Sequence, residues 1–531
     1  MNRLLTERPK LVWLFLLGGA GMTAVTLVLP QIGFLEWVTL VPMIVGAFWL
    51  CDREPLRWRT CYGVSFATVF FYYFILYHWF VYLYPLDFVG LDKAASLVVV
   101  LAGWLGLSLL QAIPGGLILP LFRVICKSRA ARRFPILKPF AFAAIWVIFE
   151  WSSTLSWTGV PWGRLCLGQA EMLPMLQLSS VLGSYAVSFL LLAVNGLLAY
   201  AILYRERQTI CGGIALGLLF ANLTFGLIRM NVKPKAEKTV VAAVIQGNIN
   251  SHDKWDEDSL DNTLDIYERL TRKAASEGAE LIVWPETALP YSFNESKSLQ
   301  YFVSELAQEC NATLIVGALY SGEEGEFNSL YLVESDGTVT EQRYDKRHLV
   351  PFGEYVPMKK LIVTLIPPLS ELISLLGGEL EAGKDSALFT TEWGSVGSMI
   401  CFDSIYEMLG VSSVRDGAEL MVISSNDSWF YDSAAVYQHL RQAQLRAIEE
   451  GRYILRAANT GISSVISPRG EALGCIEPLV DGYSVCEVKL TDRQTPYVAL
   501  GNSFVYLCLL FCVSIPIAEL VISIKKKKNN A

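Results

Sequence analysis

At 531 residues the chain is too long for one ordinary domain. A mean hydropathy of +0.40, with only 18% of residues charged, argues against a wholly soluble protein and points to a polytopic membrane protein. The net charge of −7 argues against a nucleic-acid partner, which needs clustered Lys and Arg on one face.

The apolar residues are unevenly spread. Residues 1–229 read as a transmembrane domain of seven helices, 230–500 as a soluble-type domain, and 501–531 as an eighth helix with a basic tail. A polar start carrying Arg3, Arg8 and Lys10 leads into Leu11 to Leu29, long enough to cross about 30 Å of hydrocarbon. A cleaved signal peptide is the rival reading there, but its apolar core is usually shorter. Further spans are expected at about 34–50, 62–84, 94–122, 136–150, 176–204, 210–227 and 503–524. Basic residues cluster at the N-terminus, at Arg53, Arg57 and Arg59, between Arg123 and Arg133, at Arg205 and Arg207, and at Lys525 to Lys528. The alternate connectors, 30–33 and 85–93, carry almost none. By the positive-inside rule both termini are cytoplasmic, and seven spans put the soluble-type domain on the outer face.

Charges inside spans are rare because each costs about 2.5–3.5 kcal/mol near the bilayer centre. Glu36, His78 and Glu150 fall near the expected outer ends, and snorkelling accounts for the first two. Glu150 precedes an outward stretch, Trp157 to Gly163, and Arg164, just after it, is the candidate partner.

The outer domain opens with an apolar run, Thr239 to Gln246. A helix follows, carrying Leu260, Leu264, Tyr267, Leu270 and Ala274 at helical spacing. Strands are expected at 281–286, 312–320, 327–335, 338–344, 395–401, 420–425, 453–459 and 461–467. Helices are expected at 296–309, 405–414 and 434–450. Periodicity gives an α/β class, two sheets with helices outside. The segment Met358 to Leu380 is long, apolar and broken by Pro367-Pro368; it suits a flap lying in the outer leaflet. Among eleven cysteines there is no C-x-x-C pair, and the four histidines show no ligand spacing, so no metal is expected. Cys475 and Cys486 could pair in an oxidising compartment, but two core thiols are the expectation.

Three strand ends carry the chemistry. Leu281 to Val283 runs through Trp284-Pro285 to Glu286; Tyr344-Asp345 precedes Lys346; Gly397 to Ile400 ends at Cys401. A cysteine at a strand-to-helix turn is exposed and near a helix N-terminus, which lowers its pKa from about 8.5. Taken alone, such a residue is more often a small buried hydrophobe. A nucleophilic thiol also needs a base and a donor for the oxyanion, and a glutamate and a lysine at strand ends supply both.

The motifs Trp-Pro-Glu-Thr (284–287), Asp-Lys-Arg-His-Leu-Val-Pro-Phe-Gly-Glu-Tyr-Val-Pro (345–357) and Ile-Cys-Phe-Asp (400–403), in that order, resemble the nitrilase (carbon-nitrogen hydrolase) superfamily. With the membrane segments, the resemblance narrows to its membrane-anchored branch, the apolipoprotein N-acyltransferase family. It implies a four-layer αββα sandwich as the outer domain and a catalytic trio of Glu286, Lys346 and Cys401. Glu286 would move the thiol proton; Lys346 and the backbone N–H of Phe402 would face the oxyanion. Glu354 matches a further functional glutamate, able to orient Lys346 or shuttle a proton, with a turn glutamate as the alternative. Family members commonly show Tyr-Glu where Phe402-Asp403 stands, so a role for that hydroxyl is absent here. Trp255 matches a family tryptophan near the substrate.

The implied activity is N-acylation of the α-amine of a diacylglyceryl-modified N-terminal cysteine on a lipoprotein. The donor would be a membrane phospholipid, the carrier a Cys401 thioester, with no cofactor, in a monomer of the bacterial inner membrane whose catalytic domain faces the periplasm. The alternatives are a membrane-anchored amidase or nitrilase acting on a small outer substrate, and a catalytically dead lipoprotein-binding module.

Overall fold

Up to its closing Gln246, every residue of the expected first strand is apolar or small, and the folded chain uses both faces of it. In β1 (Lys238–Gln246), Val240, Ala242 and Val244 enter one core while Ala243 and Ile245 enter another. A strand buried on both sides reads as a continuous apolar run rather than an alternating one. The computed structural model describes residues 2–52, 56–86, 90–156, 159–232, 238–250, 254, 259–365 and 379–529. The chain separates into two units: residues 1–78, 101–232 and 500–531 form one, and residues 79–100 with 233–499 the other.

In the second unit the strands after β1 are β2 (Leu281–Val283), β3 (Leu289–Ser292), β4 (Thr313–Gly322), β5 (Gly325–Val333), β6 (Val339–Asp345), β7 (Leu388–Thr391), β8 (Gly394–Ile400), β9 (Leu420–Ser425), β10 (Ile454–Ala458), β11 (Ser463–Ile466), β12 (Ala472–Ile476) and β13 (Gly482–Leu490). One sheet runs β13-β1-β2-β4-β5-β6, with β3 paired to β4; the other runs β12-β11-β10-β9-β8-β7. The sheets stack through Val240, Val283, Ile315 and Leu332 on one side and Val396, Ile400, Val422 and Leu455 on the other. Helices Leu260–Ser276 and Lys297–Cys310 cover the outer face of the first sheet. Helices Glu407–Arg415 and Ala434–Glu450 pack against strands of the second. This is a nitrilase-like αββα sandwich.

Strands β1, β2 and β4 are mutually parallel in the first sheet, as are β8, β9 and β10 in the second. Parallel strands gather their carboxyl ends on one edge, where open α/β sheets bind ligands. Ser424 Oγ, on β9, donates to Trp284 O just beyond β2 at 2.9 Å and ties the two sheets at that edge.

The same unit contains a fully buried acid. Glu450, at the end of its helix, lies against Gly410, where even a Cβ would collide with its carboxylate. Burial pushes its pKa up to about 8, only partly opposed by Arg446. A carboxyl with a raised native pKa holds its proton when the unfolded chain has lost it. Stability therefore falls as pH rises from about 4.5 towards 8. Glu450→Gln is expected to remove this slope and raise the melting temperature at pH 8 but not at pH 5, as read by thermal melts of the full protein at the two pH values.

Six of the helices among the described residues are long and apolar enough to cross a membrane: Leu11–Val28, Gln31–Asp52, Lys93–Cys126, Ser184–Leu203, Arg205–Asn231 and Ser503–Lys525. The other two expected spans form helices Trp58–Leu76 and Leu137–Ser152. The expected span 176–204 is broken: Gly183, at φ 79°, ends the short helix Ser179–Leu182 before Ser184–Leu203 begins. Glu36 does not snorkel. It is fully buried and accepts Gln169 Nε2–H at 2.8 Å, while Gln169 Oε1 takes Trp37 Nε1–H at 2.8 Å. A hydrogen-bonded carboxylate inside a helical bundle overrides the surface explanation. Glu150 accepts the backbone N–H of Leu165 at 2.9 Å and Trp146 Nε1–H at 3.2 Å. Its expected partner Arg164 donates to Ser184 Oγ at 3.2 Å and lies over the Tyr185 ring.

Candidate active site

Three of the strand ends converge. Glu286 follows β2, Lys346 follows β6 and Cys401 follows β8. Lys346 is 1% exposed and Glu286 4%. Lys346 Nζ lies 2.9 Å from Glu286 Oε1 and 2.8 Å from Glu354 Oε1. Asn328 Nδ2, on β5, donates to the same two oxygens at 2.7 and 3.2 Å. Glu286 Oε2 accepts the backbone N–H of Asn426 at 2.7 Å, and Glu354 Oε2 that of Val350 at 2.8 Å. Both carboxylates are therefore fixed at both oxygens.

A buried lysine between two carboxylates stays charged. Burial disfavours the ammonium, but the charges of Glu286 and Glu354 outweigh it and hold Lys346 well above the ordinary lysine range. Burial raises Glu354, with Lys346 pulling the other way.

The thiol departs from the sequence expectation. Cys401 is followed by a 3₁₀ turn, Cys401–Ile405, and the α-helix starts only at Glu407. Burial and then the Glu286 charge push the thiol well above its usual pKa, against the pull of Lys346. The helix-terminus argument loses because desolvation and a nearby anion are larger effects than a short turn's dipole. Both effects favour the protonated sulfur. Cys401 itself is partly exposed and sits at φ 49°; Thr287, beside Glu286, sits at φ 45°. Left-handed conformations at non-glycine residues cost about 1–3 kcal/mol each and concentrate at functional sites. Under the Glu286 turn, Gly317 of β4 has no room for a Cβ, which would meet Pro285 O at 2.1 Å.

Asp403 braces this turn. Fully buried, it accepts Ile400 N at 3.1 Å, His348 N at 2.7 Å and Tyr344 Oη at 2.9 Å, so the lysine segment and the cysteine turn hang from one carboxylate. Burial raises its pKa against those hydrogen bonds. The Phe402 ring stands edge-on to Tyr406, which packs on His348. Trp255 and residues 366–378 of the 358–380 flap lie outside the described residues; helix Lys359–Leu365 is the flap element described.

Four further groups surround the trio. Asn328 reads in the sequence only as a polar residue inside an apolar strand. Lys254, next to Trp255, is 3% exposed and donates to Glu286 O at 3.1 Å and Thr287 Oγ1 at 2.6 Å. Burial brings its pKa down to about 8, with Glu286 opposing. Asp427 and His439 lie behind Cys401: the thiol, an Asp427 oxygen and a His439 nitrogen fall within 4.8 Å of one another.

The carbon-nitrogen hydrolase family profile matches residues 241–495, and the profile described as the apolipoprotein N-acyltransferase N-terminal domain matches residues 19–197. The apolipoprotein N-acyltransferase of Geobacter metallireducens is 34% identical, over 70% of this chain and 72% of its own length. That of Gloeobacter violaceus is 31% identical, over 91% and 90%. Among solved structures, Nit3 of Saccharomyces cerevisiae, a member of branch 10 of the nitrilase superfamily, is 18% identical. It aligns over 49% of this chain and 93% of its own, with a TM-score of 0.39. An amidase from Nesterenkonia sp. aligns over 52% of this chain and 97% of its own, at 17% identity and a TM-score of 0.37.

Proposed function

This chain belongs to the apolipoprotein N-acyltransferase family, and from that we infer that its N-acylation of lipoproteins runs as two acyl transfers through Cys401. It is a multi-pass membrane acyltransferase. Glu286 takes the Cys401 proton as sulfur attacks an ester carbonyl of a membrane phospholipid. Lys346 and the Phe402 N–H stabilise the oxyanion. Collapse expels a lysophospholipid, whose leaving oxygen regains the proton from Glu286, and leaves a thioester on Cys401. The free α-amine of a diacylglyceryl-modified N-terminal cysteine then attacks the thioester. Its nitrogen loses a proton to Glu286, the amide forms, and the thiol is restored.

The observation that carries this reading is the Glu286–Lys346–Glu354 cluster beside a thiol that keeps its proton at rest. Such a thiol needs a base, and the buried cation beside it suits a developing negative charge. Glu354 and Asn328 hold Lys346 and Glu286 in register, and Asp403 holds the turn. Trp255 is assigned to substrate contact. Residues 1–229 would form the membrane domain, 230–500 the periplasmic catalytic domain, and 501–531 the last helix and cytoplasmic tail of an inner-membrane monomer. Keeping water from the thioester between steps favours work at the bilayer surface.

Purified protein given radiolabelled phospholipid is expected to acquire a hydroxylamine-sensitive label, discharged by a diacylglyceryl peptide with a free N-terminal amine. An amidase would take no label from phospholipid, and a binding module would hold it only non-covalently; either result overturns the mechanism.

A further inference from the structure

The turn that presents Cys401 is held from behind by a buried network that the acyl transfer leaves unassigned. The Cys401 carbonyl oxygen accepts Ser404 Oγ–H at 2.7 Å and lies 3.2 Å from His439 Nε2, which is also 3.0 Å from Ser404 Oγ. On its other side, His439 Nδ1 meets Asp427 Oδ1 at 2.9 Å. Asp427 also accepts Ser425 Oγ–H at 2.8 Å and Arg456 Nη2–H at 2.7 Å. His439 is 1% exposed, and Asp427 and Arg456 are fully buried. The hydrogen-bond partner His439 and the Arg456 guanidinium hold the Asp427 carboxyl far below the usual range in spite of its burial.

The two ends of the imidazole do different work. Nδ1 faces a carboxylate already engaged by an arginine and a serine, so that end would survive as ordinary core structure without the ring. Nε2 faces the backbone of the one residue at this edge of the second sheet that is both nucleophilic and left-handed, at φ 49°. The ring is carried on the seventeen-residue helix Ala434–Glu450, a rigid support. Catalytic groups need placement to within about 0.5 Å, and a 1 Å error costs about 10²-fold in rate.

We propose that His439 is a positioning residue for the acyl transfer: anchored on Asp427 through Nδ1, it fixes the Cys401 turn through Nε2 and so aims the thiol at Glu286 and Lys346. The proposal rests on Cys401 being the nucleophile. It is tested with two replacements that each copy one end of the ring. His439→Gln places an amide near the Nε2 position and reaches the Cys401 turn. His439→Asn copies the Nδ1 end and reaches only Asp427.

In full-length protein reconstituted with fluorescent phospholipid, acyl-enzyme formation at saturating donor is expected to fall about 10²-fold in His439→Asn and to stay within about tenfold of the parent in His439→Gln. The half-saturating donor concentration should be unchanged in both. Equal rates for the two variants, or a faster Asn than Gln, would overturn the proposal. So would a change confined to donor affinity. If either variant fails to fold, Ser404→Ala, which removes the hydroxyl donor to the same carbonyl, is expected to slow the step about tenfold at unchanged half-saturation; an unchanged rate counts against the proposal. Cys401→Ala is run alongside. A hydroxylamine-sensitive label on it sinks the nucleophile reading, whereas an unlabelled Cys401→Ala beside fully active His439 variants sinks only the positioning role.

Discussion

Cys401→Ala is expected to accept no acyl chain from phospholipid and to lose N-acylation by on the order of 10⁴-fold or more, as read by label retention and by mass spectrometry of the acceptor peptide. The reaction needs an atom that attacks a carbonyl and later leaves, and a methyl group does neither. The fold should be almost indifferent. The residue is partly exposed, alanine tolerates the left-handed turn about as well as cysteine does, and the hydrogen bonds that set the turn run through its backbone and through Asp403. A stability change within about 1 kcal/mol is expected. Unaltered N-acylation would remove Cys401 from the mechanism.

Glu286→Gln is expected to slow acyl-enzyme formation by about 10²–10⁴-fold, the range for losing a positioned base. A second measurement moves the other way. The Glu286 charge is, after burial, the largest influence holding the Cys401 thiol up, while Lys346 pulls it down. Removing that charge and keeping the lysine shifts the midpoint of Cys401 alkylation to lower pH. The variant should therefore have a thiol that ionises more readily and an active site that works far worse. A misfolded variant would also ionise more readily because its sulfur is exposed, so the melting temperature is measured alongside to show a folded variant, and an upward shift would contradict the electrostatic account. Lys346 keeps Glu354 as a partner at 2.8 Å, so the loss of stability should be smaller than the about 3–5 kcal/mol that follows breaking an isolated buried pair.

How much of this was legible before folding depended on whether the information was local. Strands β1, β2, β4, β8 and β9 are buried on both faces and read as apolar runs, so the sandwich class and its central strands could be taken from the chain. Strands β3, β7, β12 and β13 escaped. β3 and β7 are four residues long, and β12, at a sheet edge, is largely exposed. β13 is recruited to β1 from more than 230 positions away by pairing rather than by pattern. The site divides the same way. Glu286, Lys346 and Cys401 lie in separate motifs at strand ends, whereas Asn328 and His439 take their meaning from partners 42 and 38 residues away. The thiol's expected activation by a helix terminus failed because the α-helix starts six residues later, while burial and a carboxylate act directly on the sulfur.

Glu286 and Lys346 belong to one sheet and Cys401 to the other, and only when β9 meets the end of β2, through Ser424 and Trp284, do they share an address. A partly made chain thus carries the thiol and the glutamate apart, without the pairing that the proposed acyl transfer requires. On the proposed mechanism the reactive set is complete only in a chain whose two sheets have docked, so assembly itself serves as the safety catch.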